Sequence, residues 1–195
     1  HAFTPAATGY GEITEAQLEP WLFDHEPMHR LVFVDGRYAP QLCPFRTLPS
    51  GVTLMSLAAV LEQSPVELES LLGRTLDTDR PGFDAMNTAF LQDGAYLKLE
   101  RDAVLEQPVH LLFISTGQAE CMTTVRNVIM ADPGSSATVI ESWVALDDAV
   151  SLSNTVTEIE LAENASLQHY KLEQEGDSAT HIGGIYVRQQ RDSRF

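Results

Sequence analysis

His25-Glu26-Pro27-Met28-His29 matches the zinc-hydrolase string H-E-x-x-H. In that string two imidazoles one helical turn apart bind the metal, and the glutamate activates its water. Pro27 falls inside the helix this chemistry requires, where it disfavours a helical residue before it and removes a backbone donor. A strand pattern begins at Leu31, so the string reads as a loop between a helix and a strand. No zinc is expected to bind, and a zinc hydrolase is kept only as an alternative.

A second constellation lies further along the chain. Leu167, His169, Lys171 and Glu173 alternate onto one face of a strand, with Glu141 roughly one repeat earlier. If that face points into a closed structure, the ionisable groups must pair with each other, because isolated buried charge costs several kcal/mol. A polar lumen of this kind could relay metal, sulfur or protons. If the face points outward, the same residues are ordinary solvated side chains. Tyr170 and Leu172 suit an inward face equally well, so periodicity leaves the choice open, and Glu141, His169, Lys171 and Glu173 stand as lumen candidates.

Other residues offer less. His110, between Val109 and Leu111, reads as a core histidine with a backbone partner. Cys121 follows a loop of Gly117, Gln118, Ala119 and Glu120 and is expected to be exposed and oxidisable, but nothing cationic is nearby to activate it. Cys43 has the same status. With two cysteines far apart and no C-x-x-C pair, neither a disulfide framework nor a cluster-ligand motif is visible. Gly9-Tyr10-Gly11 lacks the rest of a dinucleotide loop, and neither a P-loop nor a G-x-S-x-G elbow occurs. No catalytic, cofactor-binding or metal-binding residue is assigned. Asp147-Asp148 supplies the paired carboxylates of one competing reading, a secreted carbohydrate-active β-solenoid enzyme.

The elements that must position these residues fall into two regimes. Residues 1–94 read as an α+β region. Thr14, three residues before Gln17, caps a first helix, and Ser64-Pro65-Val66-Glu67 combines a capping box with proline at the first helical position of a helix that Gly73 ends. Leu31 to Val34, then Asp35-Gly36, then Arg37 to Ala39 read as a strand, a tight turn and a return. Phe83, Met86 and Phe90 form an apolar stripe at helical spacing, and Asp93-Gly94 breaks the pattern. Asn87, beside that stripe, is expected to satisfy backbone groups.

Residues 95–195 read as strands separated by turns: 95–100, 109–115, 123–130, 137–144, 155–161, 167–174 and 182–190. Met130 to Val139 and Glu160 to His169 look like two copies of strand, turn, strand, which allows an all-β sandwich or a β-solenoid.

A net charge of −16 repels phosphate backbones and anionic membrane surfaces, so nucleic acid and membrane are not expected partners. No apolar run reaches the roughly 20 residues of a membrane helix, and the first residues lack the regions of a signal peptide, so a cytoplasmic location is expected. The chain starts at His1 and stops without a terminating element, and is read as a fragment at both ends.

Phe83 to Gly94 (FDAMNTAFLQDG) resembles the F-x-x-L-N-x-A-F-x-x-D-G segment of the SufD family of the SUF iron–sulfur cluster assembly system. Flanking pieces follow in the family's order: Arg30 to Pro40, Gln107 to Phe113, Arg126-Asn127, Asn154 to Glu158 and Ala165 to Leu172. The resemblance implies an α+β N-terminal region, then a right-handed parallel β-helix, here truncated before the family's helical C-terminal region. It also implies a non-catalytic scaffold subunit that assembles with SufB and the ATPase SufC, aids iron entry, and binds no cofactor itself while the complex builds the cluster. The family's SufC-docking helices and cluster-site residues lie beyond Phe195 and are not carried over. An unfinished solenoid would leave an open edge near Ile185 to Arg191, so a homo-oligomer is also expected.

Overall fold

The computed structural model describes residues 3–6, 13–23, 27–44, 47–69, 71–76, 82–117 and 120–195. The first part supplies β1 (Thr4–Pro5), α1 (Glu15–Leu18), β2 (His29–Val34), β3 (Arg37–Tyr38), β4 (Val52–Ser56), α2 (Leu57–Gln63), α3 (Pro65–Glu69) and α4 (Phe83–Ala89). Seven strands follow: β5 (Ala95–Leu99), β6 (Val109–Ser115), β7 (Cys121–Ala131), β8 (Ser136–Ala145), β9 (Ser151–Leu161), β10 (Ser166–Gln174) and β11 (Ala179–Gln189). They alternate between two sheets, ordered β11-β9-β7-β5-β4 and β10-β8-β6-β2-β3. The result is a parallel β-solenoid of about three turns. The short β1 adds to β7, pairing Thr4 with Cys121.

The register explains why one parity of residues lines the interior. Cys121 stands beside Ser151 and Ser136 beside Ser166, thirty residues apart, while Ser151 and Ala179 are twenty-eight apart. Even offsets keep odd-numbered side chains inside on every rung, because strand side chains alternate faces. The two sequence copies at 130–139 and 160–169 are successive rungs of this stack. Their turns each need a left-handed residue, supplied by Gly134 (φ 75°) and Asn164 (φ 59°). The interior of the first turns is apolar, with Phe33, Phe113 and Trp143 stacked at 4.9 and 4.0 Å between ring centres. Leu31, Leu97, Leu99, Leu111, Ile129 and Ile159 fill the space around them.

The α+β region does not stand apart from the solenoid sheets. β2 pairs in parallel with β6, and β4 pairs antiparallel with β5, so strands from before residue 94 extend both sheets. Asp35 (φ 46°) and Gly36 (φ 77°) make the tight turn between β2 and β3. Thr14 opens α1 through its backbone N–H and hydroxyl, which donate to Gln17 Oε1 at 3.0 and 3.1 Å. Leu18, Ile13, Trp21 and Leu22 then cover the outer face of the second sheet, and α2 and α3 cover Tyr96 and Val128 of the first.

Several expectations change. The Val52–Gln63 stretch, unread from sequence, is a strand running directly into a helix, whose start Ser56 caps by accepting from Ala59 N–H at 3.2 Å. Ser64 sits between α2 and α3, its N–H closing α2 on Val60; the side chain of Glu67, its expected partner in a capping box, lies outside the described residues. α3 is only five residues long, and Gly73 (φ 78°) lies in the turn beyond it. The stripe of α4 faces outward, with Phe83 49% and Phe90 46% exposed, while Asn87 is fully buried against the sheet. His25 and Glu26 lie outside the described residues, and His29 opens β2 rather than a helical turn.

Candidate functional site

The four lumen candidates all sit on inward positions of neighbouring rungs. In register, Leu31, Leu111, Glu141 and Lys171 form one row, Phe33, Phe113, Trp143 and Glu173 the next, and Val109, Val139 and His169 a third. The interior thus turns from aliphatic to ionised within one rung.

Glu141 is 1% exposed, and its carboxylate is saturated. Trp143 Nε1–H donates to Oε1 at 2.7 Å, Thr157 Oγ1–H donates to Oε2 at 3.2 Å, and His169 Nε2 lies 3.0 Å from Oε2. Thr157 is in turn held by Asn127, which anchors the start of β5 by accepting from Ala95 N–H. Burial pushes the Glu141 carboxyl up. The His169 hydrogen bond and charge, the Lys171 ammonium and the Trp143 N–H outweigh it, so the group lies below the usual carboxylate range.

One step toward the open end, Lys171 Nζ lies 3.0 Å from Glu173 Oε1 and 2.7 Å from His181 Nε2. An ammonium only donates, so His181 Nε2 accepts and Nδ1 carries the proton that faces Glu175 Oε2 at 2.6 Å. Ser153 donates to the other oxygen of Glu175 at 2.7 Å. Trp143 lies beneath, edge-on to the His181 ring at 5.0 Å and with Lys171 Nζ 5.8 Å from its centre. Gly183 leaves room for this network, since a Cβ would come within 2.4 Å of Lys171 Nζ and 2.9 Å of Thr155 Oγ1 and would displace them. The network therefore runs from a buried carboxylate to Glu173, whose side chain is 51% exposed.

Sequence reading missed Trp143, Thr157, Glu175, His181 and Gly183. The signal for His181, Thr157 and Gly183 was odd parity at a rung offset of about thirty, usable only once the interior face is known. No group of three or more His, Cys, Asp or Glu among the described residues is arranged to hold a metal ion. The arrangement is a self-satisfied charged network, suited to hold protons or to meet charged cargo at its exposed end.

The segment from Phe83 to Gly94 performs architecture instead. Asn87 Nδ2 donates at 2.9 Å to the carbonyls of Val125 and Asn154 on adjacent rungs, and Asn154 returns a bond to Phe83 O at 2.8 Å. Thr124 donates to Phe90 O, and Tyr186 of β11 donates to Asp84. That bond, then burial, pushes the Tyr186 phenol up to about 12. Asp93 accepts from Ala58, Gly94 and Tyr38 N–H groups, joining α2, the corner and β3; burial nevertheless raises its carboxyl. Gly94 is obligatory, because a Cβ would lie 1.9 Å from Arg126 O.

The remaining candidates have structural roles. His110 is fully buried; Arg30 Nε–H donates to its Nδ1 at 3.3 Å, so Nε2–H faces Ser142 Oγ at 3.0 Å, and its partners are side chains rather than backbone. Burial and the Arg30 charge lower it to about 3. Cys121 is buried rather than exposed, and burial followed by Asp35 raises its thiol. Cys43, half-buried, accepts from Val32 N–H, and burial raises it too. Asp147 and Asp148 are neighbours in an exposed turn: Asp148 N–H donates to Asp147, and Asp148 Oδ1 accepts from Ser178 N–H. They do not face one another across a groove.

Residues 113–195 match the family described as SUF system FeS cluster assembly, SufBD core domain, and residues 26–111 match the SufBD protein N-terminal region. An iron-sulfur cluster assembly SufBD family protein of Synechocystis sp. is 26% identical over 198 residues, covering 97% of this chain and 44% of that protein. The iron-sulfur cluster assembly protein SufD of Escherichia coli is 29% identical over 184 residues, 88% of this chain and 38% of its own length. Protein ABCI7, chloroplastic, of Arabidopsis thaliana is 23% identical over 171 residues, 84% and 36%. The chain spans less than half the length of these relatives. The two family regions follow one another across the strands, corner and rungs described above, and the chain belongs to the SufB/SufD family of iron–sulfur cluster assembly proteins.

Proposed function

We propose that this chain is SufD-like and acts as a non-catalytic scaffold subunit of the SUF complex, assembling with SufB and the ATPase SufC and assisting iron entry. The observation that carries this reading is the continuous family match over residues 26–195, N-terminal region and core in sequence. The lumen chemistry fits a structural role, because its ionised groups pair with one another. On this reading the chain holds no cofactor, and iron and sulfide are cargo of the complex. β10 and β11 are the outermost strands of their sheets, Arg194 pairing with the start of β10, and the rest of their outer edges suits pairing with a further strand, whether of a partner or of a second copy. No helix among the described residues is long and apolar enough to cross a membrane. The compartment we propose is the cytoplasm.

The test is co-expression of the full-length protein with SufB and SufC. Co-purification of all three, ATP hydrolysis that requires SufC alone, and cluster formation that falls when this subunit is omitted are expected. Failure to co-purify, or ATP hydrolysis by this subunit itself, overturns the proposal.

A further inference from the structure

A second deeply buried charge pair lies outside the lumen, on the outer face of the first sheet. Arg126 of β7 is 1% exposed, and Glu158 of β9 is 3% exposed. Their closest approach, Arg126 Nη1 to Glu158 Oε1, is 3.4 Å, and Nη1 and Nε make no hydrogen bond; only Nη2 does, to Thr88 at 2.7 Å. The carboxylate is directed instead at a short backbone turn. Gly73 N–H donates to both Glu158 oxygens at 3.1 and 3.2 Å, Thr75 N–H reaches Oε2 at 3.5 Å, and Thr75 Oγ1–H donates to Oε2 at 2.7 Å. Gly73 holds a left-handed φ of 78°, with open space where a Cβ would be, so glycine is needed for the backbone angle that aims its N–H.

Two convergent backbone N–H groups, a hydroxyl and a buried guanidinium with unused donors are the parts of an anion nest. We propose that Gly73, Thr75 and Arg126 form an oxyanion-binding nest and that Glu158 is its built-in ligand, so that the α+β region is clasped to the solenoid by a replaceable anion. The ligand class is a small planar or tetrahedral oxyanion, a carboxylate or phosphate. The clasp joins residues eighty-five apart, Gly73 and Glu158, beside the apolar cluster in which Leu68, Leu71 and Leu72 pack against Tyr96 and Val128. Asp84 and Tyr186 complete the surroundings of Arg126, and neither presents a donor that could replace the nest.

Chemical rescue tests this. Glu158→Ala leaves the nest empty and Arg126 with only the Asp84 carboxylate near it, and Tm is expected to fall by about 10 °C. Added sodium formate should restore a large part of the loss saturably, with sodium phosphate as a second probe and sodium chloride at equal ionic strength restoring none. Rescue should vanish in Glu158→Ala/Arg126→Met. If Glu158→Ala does not fold alone, refolding from urea with and without formate gives the same comparison. Glu158→Gln keeps the shape, and the Gly73 and Thr75 amides should exchange at least tenfold faster with deuterium. Formate and chloride acting alike, rescue persisting without Arg126, or unchanged amide protection overturns the proposal.

Discussion

Replacing Glu141 with alanine removes the one acceptor shared by three buried donors. Trp143 N–H, Thr157 O–H and the His169 ring lose their partner at once, and each orphaned group costs about 1–3 kcal/mol. Lys171, the in-register neighbour, keeps its ammonium beside a site that no longer carries negative charge. Losing one member of a buried ion pair costs about 3–5 kcal/mol. These contributions overlap, so the expected total is about 4–5 kcal/mol rather than their sum. Glu141→Gln preserves volume and one acceptor, and should lose about 2 kcal/mol. Urea denaturation followed by tryptophan fluorescence measures both, since Trp143 reports directly on the site. The pH dependence has a definite sign. The Glu141 carboxyl is depressed in the folded state, so its contribution is present above the ordinary glutamate value of about 4.3 and fades as pH falls through the folded value. Glu141→Gln should therefore show a shallower loss of stability in acid than the parent. If Glu141→Ala unfolds within about 0.5 kcal/mol of the parent, the network contributes no stability and the reasoning fails.

Further outcomes follow from other buried groups. Asn87→Ala orphans the carbonyls of Val125 and Asn154 and should cost about 3 kcal/mol by the same denaturation assay. Ser56→Ala removes the cap of α2 and should cost about 1 kcal/mol, read as a small drop in Tm. His110 binds its proton near 3 in the folded state against 6.5 ordinarily, so the stability it contributes is complete above the higher value and is lost downward between the two, at up to about 1.4 kcal/mol per pH unit; His110→Gln should flatten that range. Both thiols are raised by burial, so native protein should resist iodoacetamide until urea opens it.

Alternation made the rungs legible before any coordinates. The residues 109–115 are a strand with those limits, the 95–100 alternation ends one residue earlier at Leu99, and the other rungs differ by a few residues at their ends. Val52–Gln63 was not legible, because the strand enters the helix without glycine or proline, and only Ser56 marks the change. The apolar stripe of α4 faces outward for a physical reason. A helix normally buries its apolar stripe, but the sheet face beneath α4 offers Thr124, Arg126, Asn154 and Tyr186, and those groups select Asn87, Thr88 and Asp84. The lumen face of β10 could not be chosen from β10 itself, where both faces mix polar and apolar residues. It is decided by the neighbouring rung, whose inward Glu141 and Trp143 require partners.

The separation of signature from chemistry follows from the same geometry. Residues 83–94 sit where a helix crosses adjacent rungs and turns into the first sheet, and Asn87 and Asp93 there are committed to backbone groups while Asp84 and Thr88 meet Tyr186 and Arg126. Substitutions in that corner disturb the stack as a whole. The lumen network has a different constraint: Leu31, Leu111, Glu141 and Lys171 occupy one row, so a charge introduced on one rung requires its counter-charge on the next. Ionised residues enter this interior as a run of mutual partners, as Glu141, Lys171, His181 and Glu173 do. Reversing the run, by placing a glutamate at Leu111, would put a carboxylate among Leu31, Leu97 and Ile129 with no donor available. That variant should fail to fold, whereas Lys171→Met should fold with reduced stability, because it removes the ammonium that supports the Glu141 carboxylate and contacts Glu173 and His181.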